Sequence, residues 1–556
     1  MSGRLKLLTA GARDLPARQR TLRGAVECSY NLLEEAEQRY FRRLGVFVGG
    51  YTVEAAKAVA GADDSPAADT LTNLEMLLDK NLITRHQGGL RRLGMLETLR
   101  EYALEQLAAR GEEEETRDRH AHYYLNFVKE GGEHYAGTEV VSWVHQVAAE
   151  YTNIREAMAW FFGVQGRQEG NEWAMLQRGS PHIGGSEREK AGSDEELVRI
   201  KLGTDLCTSL FPFWDAQHYL GEARAWYTLA AERIAPFAQA PDNPDPPDSE
   251  WGSSEITRAH KISPELAAIW ARMLAGAGAM AYYQGEYDAT RRLNEKALAI
   301  RREIGDRNGI AASLNNLGIA AMDQGDYLAA HDYLSESLGI ARELAIPWKI
   351  CAALGNLGIT ETRLGNLDAA RLHLKESLVI AREAEDIQRT ADALTNLSVV
   401  ARFQGDVGEA RRYLDEAHLI YRQLGHKSGI IQVLIQLGFV ARDENHFDQA
   451  RSHLSDALIL LLELPNKALI ADCLEGLAWL VGKRGSLERS VRLFGAAERL
   501  REVTGVPLSQ AERDYYTQFL DTARQQVDAV RWDTAWAEGR AMNTEQAVAY
   551  ALQGLD

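Results

Sequence analysis

From residue 266 to residue 505 the chain repeats a pattern of large, small and polar positions every 40 residues. Gln284-Gly285-Glu286-Tyr287 returns as Gln324-Gly325-Asp326-Tyr327, Leu364-Gly365-Asn366-Leu367, Gln404-Gly405-Asp406-Val407, Glu444-Asn445-His446-Phe447 and Arg484-Gly485-Ser486-Leu487, six copies without insertion or deletion. Ahead of each, a mostly leucine position (Ala277, Leu317, Leu357, Leu397, Leu437, Leu477) precedes a small one (Gly278, Gly318, Gly358, Ser398, Gly438, Ala478). Behind each, Ala330, Ala370, Ala410 and Ala450 belong to a second small column, and Leu334, Leu374, Leu414 and Leu454 to a large one. A glycine suits the end of a first helix, where the chain must turn with positive φ. Small residues let a second helix approach closely, and the large column fills the groove between the two. The pattern predicts six helix–turn–helix units, each unable to bury its apolar face alone, stacked into a solenoid.

These columns resemble the tetratricopeptide pattern of small and large positions, in a 40-residue variant longer than the usual ~34. Upstream, Thr21–Leu33, Glu35–Leu44, Val53–Ala60 and Leu71–Asp79 read as helices, and Asn81–Leu93 alternates around a Gly-Gly turn as a hairpin would. Several helices followed by a hairpin describe a winged helix. Residues 164–195 and 238–256, rich in Gly, Pro and Asp, read as flexible insertions. The expected fold class is therefore all-α: a tetratricopeptide-type helical solenoid preceded by a small winged-helix domain. The expected divisions are a winged helix over 1–130, a helical linker with degenerate repeats over 131–265, six repeats over 266–505 and C-terminal capping helices over 506–556.

Charge narrows the partners. A net charge of −18 repels phosphate backbones, which argues against nucleic acid as the partner of the whole chain. Cys28, Cys207, Cys351 and Cys473 stand far apart, with no Cys-x-x-Cys pair, so neither a disulfide framework nor a thiolate metal site is expected. No apolar run is long enough for a signal peptide or a membrane span, and the expected location is the cytoplasm. The best histidine cluster, His120, His122 and His134, has poor spacing for a metal, and no cofactor or catalytic set stands out. The expectation is a protein that is not an enzyme.

A second resemblance spans most of the chain. Arg4-Leu-Lys-Leu-Leu-Thr, Pro16-Ala-Arg-Gln-Arg-Thr-Leu-Arg23, Met95-Leu-Glu-Thr-Leu-Arg-Glu-Tyr-Ala103, Tyr151-Thr-Asn-Ile-Arg-Glu-Ala-Met-Ala-Trp160 and Trp536-Ala-Glu-Gly-Arg-Ala-Met-Asn-Thr-Glu-Gln-Ala resemble bacterial STAND-type predicted ATPases. Those are signal-transduction regulators allied to LuxR-type activators. The likeness is to the part of such proteins that follows their nucleotide-binding domain, because no G-x-x-x-x-G-K-[ST] phosphate loop occurs here. It implies that the winged helix docks on an ATPase domain, here a separate one. DNA binding by the winged helix is the alternative, but the candidate recognition helix, Val53–Ala60, carries one Lys and one Glu. A regulatory subunit of an ATPase supplied in trans is a further reading.

The candidate site lies in the solenoid. In tetratricopeptide folds the position before the Leu-Gly pair faces the concave groove, and here it holds Asn316, Asn356, Asn396 and Gln436. Such amides could hydrogen-bond the backbone of an extended peptide, or could bridge neighbouring helices instead. Beside them run Ile319, Ile359, Val399, Phe439 and Trp479, with Arg363 and Arg402 among five positive and five negative groove charges. A near-neutral groove implies a peptide or protein ligand anchored by apolar side chains toward the later repeats. Phe439 and Trp479 could equally pack against the C-terminal helices.

Overall fold

The computed structural model describes residues 17–61, 67–85, 92–132, 139–164, 194–217, 219–238, 263–464, 466–508 and 510–553. The chain divides into two compact units, Met1–Met280 and Ala281–Asp556. Nearly all of the two expected insertions, and His134, lie outside the described residues.

The first unit opens with helices α1 (Ala17–Asn31) and α2 (Glu35–Leu44), strand β1 (Tyr51–Thr52), and helices α3 (Val53–Ala60) and α4 (Ala67–Asp79). Strands β2 (Thr84–Arg85) and β3 (Arg92–Gly94) pair antiparallel, Thr84 with Gly94, and β1 adds to the free side of β3. The turn of the expected hairpin lies outside the described residues. Helices α5 (Glu97–Ala109), α6 (Glu113–Gly132) and α7 (Glu139–Phe161) follow, and then α8 (Asp194–Gln217) and α9 (Leu220–Ala238).

A buried polar network ties the hairpin to α6 and α7. Asn153, fully buried on α7, accepts from Val48 N at 2.7 Å and donates to Gly50 O at 2.8 Å. Its neighbour Glu150 accepts from the Tyr124 hydroxyl on α6 at 2.7 Å and forms an ion pair with Arg92 of β3. The segment singled out by its resemblance, 151–160, thus belongs to structural joints: Tyr151 accepts from Trp214 Nε1 at 2.6 Å, and Arg155 pairs with Glu222.

Helix α10 (Pro264–Tyr283) crosses the division between the units. The second unit then carries α11 (Tyr287–Glu303), α12 (Arg307–Asp323), α13 (Tyr327–Glu343), α14 (Pro347–Leu364), α15 (Leu367–Glu383), α16 (Ile387–Phe403), α17 (Val407–Leu424), α18 (Lys427–Asp443), α19 (Phe447–Glu463), α20 (Lys467–Lys483) and α21 (Leu487–Thr504). Helices α22 (Gln510–Arg524), α23 (Ala529–Ala541) and α24 (Thr544–Leu552) complete it.

The small columns mark where paired helices touch. A Cβ built on Gly358 would lie 2.5 Å from Leu374 Cγ, and one on Gly318 2.6 Å from Leu334 Cγ. Alanine could not stand there without displacing the leucine side chain of the partner helix. The large column is buried throughout: Leu334, Leu374, Leu414 and Leu454 have no exposed surface. Capping punctuates the pairs, since Asp306, Asp326, Asp386 and Asp406 each accept from the backbone N–H three residues on. The chain turns left-handed at Gly365 (φ +84°), while Ala345 (φ +51°) and Glu385 (φ +55°) hold the same region without a glycine.

Candidate peptide-binding groove

The first helices of the repeats, α12, α14, α16, α18 and α20, present the amide column and the apolar column side by side. Asn316 and Asn356 are half-buried, and both amides already have protein partners. Asn316 Nδ2 donates to Asn294 Oδ1 at 3.2 Å, and Asn356 Nδ2 to Asn315 Oδ1 at 3.0 Å. Asn396 and Gln436 are half-buried, and Gln436 Oε1 is enclosed without a hydrogen-bond partner. Ile319, Ile359 and Val399 are half-buried, whereas Phe439 and Trp479 are buried at 3% and 7% exposure.

Trp479 is covered by the chain's own segment 505–524, and Phe439 lies under the guanidinium groups of Arg402 and Arg442. After α21 the 40-residue register ends at Gly505, and the chain crosses back over the face carrying these columns. Pro507 meets the turn of an early repeat, where a Cβ on Gly325 would lie 3.4 Å from Pro507 Cγ. On α22, Glu512 Oε2 approaches Arg363 at 3.7 Å and its Oε1 approaches Arg402 at 3.6 Å. The Arg442 guanidinium lies 4.2 Å from the Tyr515 ring centre and donates from Nη1 to the Tyr516 hydroxyl at 3.4 Å. Trp479 stands 5.7 Å from Tyr515 and 6.3 Å from Phe519, ring centre to ring centre. One segment reaches residues from the second repeat to the sixth, so α22 lies along the face formed by the first helices.

Charges on this face are arranged in compensating sets. Tyr282 donates to Asp323 at 2.6 Å and Tyr421 to Asp392 at 2.5 Å, and burial pushes both carboxyls above their ordinary range. Arg501 bridges Asp472 at 2.5 Å and Glu475 at 2.7 Å. Burial raises Glu475 to about 7 despite that guanidinium, which it shares with the half-buried Asp472. Arg402, with 4% of its side chain exposed, stacks over Phe403 at 4.5 Å and Phe439 at 5.3 Å. Its Nε and Nη2 groups lack hydrogen-bond partners.

The structure thus brings Arg363, Arg402, Phe439 and Trp479 together around α22, and ties Asn316 and Asn356 to neighbouring asparagines. Sequence reasoning missed Glu512, Tyr515, Tyr516 and Phe519, although their spacing of three, four and seven residues marks one helix face. His120 is buried against Phe47 and Tyr124, and burial lowers its pKa to about 3. Among the described residues no group of His, Cys, Asp and Glu could hold a metal, and no helix is long and apolar enough to cross a membrane.

Residues 271–343 and 349–423 match the family model for the tetratricopeptide repeat, so this solenoid is built of tetratricopeptide repeats. Among curated proteins, the chain is 32% identical over 228 residues to a Mycobacterium tuberculosis protein named "Putative HTH-type transcriptional regulator", a match covering 41% of this chain and 22% of that one. The chain therefore spans about a fifth of the length of the first curated relatives it matches. A further M. tuberculosis relative, an uncharacterized protein, is 32% identical over 117 residues, covering 20% of this chain and 29% of that one.

Two solved structures align with the chain at low identity. The Rap conjugation gene regulator of the plasmid pLS20, in complex with the Phr* peptide, aligns with 70% of this chain and 99% of its own at 14% identity and a TM-score of 0.43. A STAND protein with a tetratricopeptide repeat sensor from Pyrococcus horikoshii aligns with 88% of this chain and 65% of its own at 13% identity and a TM-score of 0.40.

Proposed function

We propose that the chain is a peptide- or protein-binding module rather than an enzyme, the sensor and scaffold part of a STAND-like signalling regulator in the cytoplasm. Its ligand lies in the concave face of the repeats, against Asn316, Asn356, Asn396, Gln436, Ile319, Ile359, Val399, Phe439, Trp479, Arg363 and Arg402. The observation that carries this reading is the placement of α22. A helical segment seated on that face, with aromatics on Arg442 and Trp479 and a carboxylate facing Arg363 and Arg402, supports a ligand of similar chemistry. The N-terminal module, taken as a winged helix, couples the solenoid to a separate ATPase domain through its hairpin, which the Arg92–Glu150–Asn153 network fixes to α6 and α7.

The test is a panel of peptides presented to the wild type and to the Asn316→Ala/Asn356→Ala/Asn396→Ala variant. Binding lost by a folded variant supports the groove, and equal binding by both sinks it. The name of the mycobacterial relatives favours a second reading, a transcription regulator that reads DNA through the winged helix. Salt-sensitive retention of the chain on duplex DNA, lost when Lys57 is changed, would favour that reading.

A further inference from the structure

The segment over the groove presents one apolar face to the repeats and one polar face to solvent. Helix α22 is amphipathic: Tyr515, Tyr516, Phe519, Leu520 and Ala523 turn inward, while Arg513, Asp514, Thr517, Gln518, Asp521 and Thr522 are exposed. The helix beyond it is anchored independently. Gly495 on α21 leaves room for the α23 backbone, since a Cβ there would lie 2.5 Å from Trp536 O, and Arg540 bridges Glu498 and Glu502. Helix α22 also rests on both neighbours: the Phe494 ring of α21 lies 5.5 Å from that of Tyr516, centre to centre, and the Arg524 guanidinium stands 5.7 Å from the Trp532 ring centre on α23.

The fit of α22 is also incomplete where the charge is deepest. A charge-assisted hydrogen bond runs at about 2.7–2.9 Å, yet the nearest carboxylates to Arg402 stand at 3.5 Å (Asp443) and 3.6 Å (Glu512). Nε and Nη2 of Arg402 and Oε1 of Gln436 are enclosed without a hydrogen-bond partner, Nη2 standing only in the long ion pair with Glu512, and the two residues lie on neighbouring first helices. Enclosed polar groups without partners are costly. A ligand that supplied a carboxylate and a backbone N–H there would gain what α22 leaves unmet.

Building on the peptide-binding reading, we propose that residues 505–524 are an internal ligand that closes the groove, and that the external ligand is an amphipathic helical segment of the same chemistry. That segment carries a carboxylate for Arg363 and Arg402, followed by aromatics three or four and seven residues on for Arg442 and Trp479. Binding then exchanges one helix for another. The exchange frees α22 as the signal.

The experiment uses the full chain and a fluorescein-labelled peptide of residues 505–526, read by anisotropy. In the wild type the tethered helix competes at an effective concentration of order mM, so the peptide binds weakly. Glu512→Lys, which sets a cation against Arg363 and Arg402, and Glu512→Lys/Tyr515→Ala should each raise the affinity at least tenfold. Adding Arg402→Ala to either should abolish that gain, and a peptide with Lys at the Glu512 position should not bind. Circular dichroism and thermal unfolding establish that the variants are folded. Opened, folded variants that bind the peptide no better than the wild type would overturn the proposal. If they nevertheless bind unrelated peptides in a manner lost with Asn316→Ala/Asn356→Ala/Asn396→Ala, the internal-ligand idea alone fails. If no peptide binds any variant, the groove reading fails with it.

Discussion

Arg501 holds two carboxylates at once in the second unit, and replacing it with Met isolates its worth. The side chain is 13% exposed and joins Asp472 at 2.5 Å to Glu475 at 2.7 Å, with Glu475 itself 6% exposed. Methionine keeps the stem and removes the guanidinium, leaving the buried Glu475 and the half-buried Asp472 without their cation. Breaking a buried pair in this way costs about 3–5 kcal/mol. The cost depends on pH with a definite sign. Glu475 already titrates near 7 in the folded chain against an ordinary 4.5, so it holds its proton more tightly folded than unfolded. Its penalty is absent below about 4.5 and complete above 7, amounting to about 3 kcal/mol at ~1.4 kcal/mol per tenfold change in proton affinity.

With the cation gone Glu475 keeps its proton to higher pH, so between pH 8 and 6 the folded variant binds up to one proton more than the wild type. Its deficit should shrink as pH falls, by up to about 1.4 kcal/mol per pH unit over that window. The assay is urea unfolding of both proteins at pH 6, 7 and 8, compared as midpoint differences at unchanged slope. A deficit constant from pH 6 to pH 8, or below ~1 kcal/mol at pH 8, would refute the reasoning.

Other expectations follow from single contacts. Gly358→Ala gains helix propensity of about 1 kcal/mol but drives a Cβ to 2.5 Å from Leu374 Cγ; the net change in thermal unfolding should be destabilising by about 1 kcal/mol. Ala345→Gly and Glu385→Gly relieve left-handed backbone at φ +51° and +55° and should each stabilise by about 0.5 kcal/mol, less than the ~1–2 kcal/mol strain because glycine loses more entropy on folding. Asn153→Ala leaves Val48 N and Gly50 O without their partner and should cost the first unit about 2–4 kcal/mol, seen as faster proteolysis at the hairpin.

Much of this architecture is legible in the chain because the repeats obey a local rule. A glycine or asparagine every 40 residues and a small residue facing a leucine fix the helix pairs before any long-range contact is considered, and Gly358 against Leu374 is that rule in atoms. The groove was only half legible. Periodicity places Asn356 and Arg402 on one face, but it says nothing of what lies across from them. Segment 505–524 sits outside the period, so its docking depends on curvature accumulated over several repeats, which no single repeat encodes. The amides of Asn316 and Asn356 mislead for a related reason: their partners, Asn294 and Asn315, are a helix away and share no column with them. The Arg92–Glu150–Asn153 network joins residues far apart in sequence, and no spacing announces it.

The central claim is that the concave face of the repeats receives a helical ligand and that α22 is its stand-in. Hydrogen exchange read by mass spectrometry on the Glu512→Lys/Tyr515→Ala chain, with and without excess 505–526 peptide, addresses that most directly. The account predicts new protection on the first helices around Arg402, Gln436 and Trp479, with the second helices α15, α17 and α19 unchanged. Protection confined to those second helices, or to the first unit, would contradict it.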